Sequence, residues 1–229
     1  MKLTLRAITL MLFLLAAAAT ASADSLTLTN GGSYTMGGVY VGPYNFTGTI
    51  GGQTVSLQLI CDDFKSDVTP GESWTVLTST FPTLANANLG TPAQYQEVAY
   101  LAEMIFALNP ASSGYGTTLG ELQWALWNIF DPGVGLSSSN PDPYGSLTSA
   151  EITAIQGYIT SAQNSAGSGN YSNLIVYTPV PGTQQPNPPN TGLPQEYFGD
   201  PVNTPEPGSL LLIGAGMFGL AAFRRRLSY

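Results

Sequence analysis

The sequence predicts a mainly β fold with α insertions: a single β-sandwich or barrel-like domain with two or three helices. A disordered Pro-rich linker and a C-terminal hydrophobic helix are expected to follow it. Three observations predict this. Residues 26–60 contain short alternating apolar runs broken by Gly-rich turns. Three segments between residues 91 and 163 open on helix start signals. Beyond Thr178 prolines crowd the chain, and an apolar run from Ser209 to Phe223 follows. The expected division is 1–23, 24–178, 179–203 and 204–229.

The first segment has the layout of a signal peptide. Lys2 and Arg6 precede an apolar stretch from Ala7 to Ala19, and Ala21-Ser22-Ala23 supplies the small-x-small triplet. Signal peptidase is expected to cut between Ala23 and Asp24. The short apolar run, ending on a cleavage triplet, argues against a permanent N-terminal anchor.

In the body, Leu26 to Thr29 alternates, Asn30-Gly31-Gly32 turns, and Val39 to Tyr44 and Phe46 to Ile50 follow as strands. Gly51-Gly52 turns into Gln53–Ile60, where Val55, Leu57 and Leu59 share one face and Cys61 ends the strand. Pro70-Gly71 leads into another strand over Ser73 to Thr78. Thr91-Pro92-Ala93-Gln94 opens a helix to about Leu108, with Val98, Leu101, Ile105 and Leu108 on one face. Thr118-Leu119-Gly120-Glu121 reads as a capping box for a helix to about Phe130, and Thr148-Ser149-Ala150-Glu151 for one to about Gln163. Asn173 to Thr178 closes the domain as a strand.

From Pro179 to Pro201 seven prolines fall among Gln, Asn and Gly, which predicts a semi-extended linker. The tail then has three parts in order: Thr204-Pro205-Glu206-Pro207, the apolar run, and Arg224-Arg225-Arg226. Fifteen apolar residues at about 1.5 Å each span roughly 22 Å, short of a ~30 Å hydrocarbon core. A span becomes feasible from Pro207 onward with the arginines snorkelling, and those arginines would stay cytoplasmic. Gly214, Gly216 and Gly219 spell a dinucleotide-type G-x-G-x-x-G, but no βαβ unit surrounds them, so helix packing in lipid explains them better.

This tail resembles the PEP-CTERM sorting signal of Gram-negative bacteria over Thr204 to about Leu227. The resemblance implies recognition by an exosortase-type membrane protease and cleavage near Pro205–Pro207. Delivery to the cell surface or extracellular matrix would follow, with the helix in the inner membrane only transiently.

Composition narrows the chemistry. Between Asp24 and Asp200 one lysine, Lys65, stands against 13 acids, a net charge of −12. Such a surface repels nucleic acid phosphates. The chain has no histidine, which removes the usual general base and most transition-metal sites. No cofactor and no enzymatic activity are expected. Asp62 and Asp63 point to opposite faces of an extended chain, a poor pair for glycoside hydrolysis. With Asp67 they offer oxygens to calcium, although a solvated acidic loop accounts for them better. Asn45-Phe46-Thr47 and Asn170-Tyr171-Ser172 match a glycosylation triplet that is frequent by chance.

Cys61 is the sole cysteine, so an intramolecular disulfide is excluded. It reads either as a small buried hydrophobe or as a reactive sulfur. The segment Leu122-Gln123-Trp124-Ala125-Leu126-Trp127 is core-like except for Gln123, whose amide needs a partner on an apolar helix.

An apolar residue, Gln, two residues, an apolar residue and Trp resemble the glutamine motif of bacterial thioester-domain adhesins, and the likeness covers residues 34–131. It implies that Cys61, ending an early strand, bonds to Gln123 with release of ammonia. Ile60 precedes the cysteine here, and Asp62-Asp63 follow where the family more often has apolar residues. Trp124, Trp127, Tyr40, Tyr44 and Phe64 are the candidate walls that would keep water from such a bond.

The expected function is that of an exported cell-surface or matrix protein, structural or adhesive. It would attach covalently to amine- or hydroxyl-bearing targets if the thioester forms. The alternatives are a noncovalent polysaccharide-binding module and, last, an atypical secreted hydrolase.

Overall fold

The computed structural model describes residues 23–136, 147–186 and 194–199. The signal peptide up to Ser22, the sorting motif with Pro205, Glu206, Pro207 and Arg224–Arg226, and the C-terminal hydrophobic helix lie outside the described residues. No helix among the described residues is long and apolar enough to cross a membrane.

The first half of the chain supplies β1 (Ser25–Asn30), β2 (Tyr34–Met36), β3 (Val39–Val41), β4 (Tyr44–Ile50), β5 (Gln53–Cys61) and β6 (Ser73–Thr80). Three helices follow: α1 (Pro92–Phe106), α2 (Tyr115–Phe130) and α3 (Ser149–Ser165). Then come β7 (Ile175–Pro179) and β8 (Tyr197–Gly199). Six strands close an antiparallel barrel in the order β1-β4-β5-β8-β7-β6, and β2 and β3 form a separate two-stranded hairpin. The barrel-like reading of the sequence therefore holds, with three helices inserted between β6 and β7.

Alternation builds the barrel. On β5, Val55, Leu57 and Leu59 are buried while Thr54, Ser56 and Gln58 are exposed, the pattern of a strand with one wet face. Inside, Phe46, Trp74 and Tyr197 meet at ring separations of 4.7 to 6.2 Å. The far end of β5 changes character, because Ile60, Cys61 and Asp62 are all fully buried. There the outer face is covered as well: Tyr95 of α1 stacks on Phe198 of β8 at 6.0 Å.

Two helix starts match their capping boxes. Thr91 and Gln94 cap α1 reciprocally, and Thr148 and Glu151 do the same for α3. The third differs. α2 begins at Tyr115 with Gly114 as its cap in the left-handed region, φ 81°, so Thr118 is already inside the helix. The extra turn is held by tertiary contact: the Tyr34 ring lies edge-on against Tyr115 at 5.2 Å.

The largest correction concerns residues 179–203. They were expected to be a linker outside the domain, yet they carry the strand that closes the barrel. β8 pairs with β5 (Leu59↔Gly199, Ile60↔Phe198, Cys61↔Tyr197) and with β7 (Val176↔Phe198, Tyr177↔Tyr197). Without it, β5 and β7 would each present unpaired backbone groups beside buried side chains. The start of the proline-rich stretch is tied down too, since Ser73 and Gln185 exchange backbone hydrogen bonds of 2.7 Å in both directions. The packed domain thus reaches Gly199.

Candidate functional site

Cys61 and Gln123 meet. β5 ends at Cys61 against α2, a helix buried on nearly all sides from Leu119 to Ile129. Both residues are fully buried. Gln123 Nε2 donates to the main-chain carbonyl of Cys61 at 2.6 Å. Gln123 Oε1 accepts from the backbone N–H of Gly42 at 3.3 Å. Both ends of the amide are thereby pinned, which removes the cost of placing it among apolar side chains. The Cys61 thiol donates to the Asp63 carbonyl at 3.3 Å.

Gly42 was not singled out from the sequence, where it falls inside the expected strand Val39 to Tyr44. It follows β3, and its N–H is the sole donor to the Gln123 carbonyl oxygen among the described hydrogen bonds. A Cβ there would stand 2.9 Å from the Tyr44 ring and 3.3 Å from Gln123 Oε1. A residue without a side chain lets the backbone come this close.

Phe64, Trp124 and Trp127 form a three-ring cluster with centroids 5.1 to 5.3 Å apart. Tyr44 is buried and packs edge-on against Tyr197 at 5.9 Å. Tyr40 differs: it is 58% exposed, and the Tyr44 hydroxyl donates to its carbonyl at 2.8 Å. The β2–β3 hairpin that carries Tyr40 rests on α2, with Trp124 Nε1 donating to the Met36 carbonyl at 3.2 Å.

Electrostatics keep the sulfur neutral. Burial pushes the Cys61 thiol well above its ordinary range, and the carboxyl groups of Asp62 and Asp63 add to this; contacts from the Asp63 backbone and Trp127 oppose it. Burial, with Cys61 and Asp67 nearby, raises the Tyr44 hydroxyl as well. Lys65 turns away from the pair and bridges to Asp131 at 3.1 Å, just past the end of α2.

Asp62 and Asp63 do face opposite ways. Asp63 accepts the Lys65 and Ser66 backbone N–H groups, while Asp62 is fully buried beside Glu196. No group of three or more His, Cys, Asp or Glu that could hold a metal ion occurs among the described residues. Ala23 and Asp24, the expected cleavage pair, lie immediately before β1, where Asp24 Oδ1 accepts the Gly51 N–H at 2.7 Å.

No curated protein matches the chain. Among solved structures, the N-terminal thioester domain of the fibronectin-binding protein SfbI from Streptococcus pyogenes is similar at 10% identity and a TM-score of 0.42. That alignment covers 81% of this chain and 97% of that one. A family model, the PEP-CTERM protein-sorting motif, matches residues 203–226. The chain therefore carries the PEP-CTERM sorting signal of an exported protein handled at the membrane.

Proposed function

We propose that this is a surface-displayed adhesive protein, non-enzymatic, that forms an internal thioester between Cys61 and Gln123 and uses it to attach covalently to a target. The supporting observation is the doubly pinned Gln123 amide, its nitrogen on Cys61 O and its oxygen on Gly42 N–H, with the only thiol of the chain on that same Cys61.

The step balances within the pair. Cys61 Sγ attacks Gln123 Cδ, the S–C bond forms and the C–Nε2 bond breaks. The thiol proton leaves on the nitrogen as ammonia. Negative charge developing on Oε1 faces the Gly42 N–H, a fixed donor that is buried like Cys61 and Gln123 themselves. A target amine or hydroxyl then attacks the same carbon, forms an amide or ester to Gln123, and returns the proton to Cys61 as a free thiol. One turnover consumes the protein, which fits a chain without histidine.

Intact mass is the test. The secreted chain is expected to be lighter than its sequence by one ammonia, and methylamine should add its mass at Gln123. A wild type of full mass, or a Cys61→Ala variant that keeps the deficit, refutes the thioester. The second reading, a noncovalent polysaccharide module, draws on the exposed rings of Tyr40 and Tyr34, 58% and 40% accessible. Glycan binding that survives Cys61→Ala would favour it.

A further inference from the structure

We infer that Asp62 and Glu196 hold a single proton between them across the seam that closes the barrel, and that this proton is a pH-sensitive latch on β8. Asp62 follows the last residue of β5 and Glu196 precedes the first residue of β8, and the Asp62 N–H donates to the Glu196 carbonyl at 3.3 Å. The two carboxyl groups extend the ladder in which Cys61 pairs with Tyr197. Both are buried, at 0% and 1% exposure.

Glu196 is the ionised member. Tyr95 Oη donates to its Oε1 at 2.6 Å, and Thr178 donates to its Oε2. The Tyr95 hydroxyl accepts from the Leu89 N–H, which leaves its own hydrogen for Glu196. Asp62 has no such donors: neither of its oxygens has a hydrogen-bond partner of ordinary geometry. A carboxylate in that position would be desolvated and unpaired beside a second carboxylate, whereas a carboxylic acid offers its proton to Glu196.

No cation among the described residues relieves the pair. The groups facing it are Cys61 and Asp63 on its own strand end, Tyr95 on α1 and Tyr197 on β8. All are neutral or negative at ordinary pH. Lys65, the one lysine of the domain, is engaged with Asp131. Burial, then Glu196, raises the Asp62 carboxyl well above the carboxylate range; burial raises Glu196 as well, against the pull of its hydroxyl donors.

The direction of the pH effect follows. A carboxyl whose folded pKa lies above its unfolded value binds more protons when folded, so stability falls as pH rises between the two values. Stability from this pair is complete in acid below about pH 4 and is lost as pH rises through the folded value of Asp62. A second charge at the seam is then expelled by separating β8 from β5. Because Tyr197 lies against the Cys61 site, the same event uncovers the thiol.

The test compares the full wild-type chain with Asp62→Asn, which keeps size and donor but cannot ionise. Wild-type unfolding midpoints are expected to fall from pH 5 to pH 9, while Asp62→Asn stays level and exceeds wild type at pH 8. Amide exchange at Tyr197–Gly199 should quicken in wild type beyond the intrinsic tenfold per pH unit, but not in the variant. Parallel pH curves for the two chains overturn the latch. If Asp62→Asn does not fold, the wild-type Asp62 carboxyl ¹³C shift decides: a titration near the ordinary ~4 refutes the proposal, and a higher one supports it. None of these readouts depends on whether the thioester forms.

Discussion

The side chain of Gln123 spans from the middle of α2 to the end of β5 and donates to the Cys61 carbonyl at 2.6 Å, joining residues 62 positions apart. The contact fixes a helix to a barrel strand through one amide, so its loss has consequences for stability apart from any chemistry.

Gln123→Ala leaves the Gly42 N–H and the Cys61 carbonyl without their partner in a buried place. Each orphaned group costs about 1–3 kcal/mol. Measured in a Cys61→Ala background, where the amide keeps its nitrogen, chemical denaturation should show the loss at all pH values between 5 and 8, and an unchanged midpoint would mean that the amide is not pinned as described.

Gly42→Ala keeps the N–H but adds a Cβ 2.9 Å from the Tyr44 ring. Displacing the donor to Oε1 should slow ammonia loss by roughly a hundredfold to a thousandfold, the cost of removing one such donor elsewhere. The time course of intact mass after refolding reads this directly. An unaltered rate would free Gly42 of any part in the step.

The hairpin depends on a close approach to α2. A Cβ on Gly120 would lie 2.7 Å from the Met36 sulfur and 2.8 Å from the Met36 Cβ. Gly120→Val should therefore push β2–β3 off the helix and cost about 1–3 kcal/mol. Amide exchange over 34–41 is expected to rise while the β4–β5 ladder stays protected.

β8 should matter out of proportion to its three residues. Phe198 is fully buried between the barrel and α1, and Phe198→Ala is expected to cost about 3–5 kcal/mol. A chain stopped after Pro179 should fail to give a cooperative transition. If it unfolds as the longer chain does, the barrel does not need its closing strand.

Local pattern carried much of this fold. The alternation of Val55, Leu57 and Leu59, the Gly51-Gly52 turn and the capping residues Thr91 and Thr148 each act over a few positions, so their structure is written nearby. β8 is different. Tyr197-Phe198-Gly199 is too short for a periodic signal, lies among prolines, and acquires its partners from β5 and β7. The start of α2 was misplaced for a related reason: Tyr115-Gly116-Thr117 is a weak helix opening, held by Tyr34 of a hairpin 81 residues earlier in the chain. At the site, the odd Gln123 and lone Cys61 were visible as types that need an explanation. Gly42 and Glu196 were not, because a backbone donor and a carboxylate in a proline-rich stretch carry no local mark of what they face.

Only residues 200–202 separate the end of β8 from the start of the sorting motif at Asn203. A chain crossing a membrane from its N-terminus brings Tyr197 across just ahead of the sorting motif. Until then the seam beside Cys61 stands open, and the Gln123 site lacks one of its aromatic neighbours. Closure of the barrel by β8 and the arrival of the sorting motif are thus nearly the same moment.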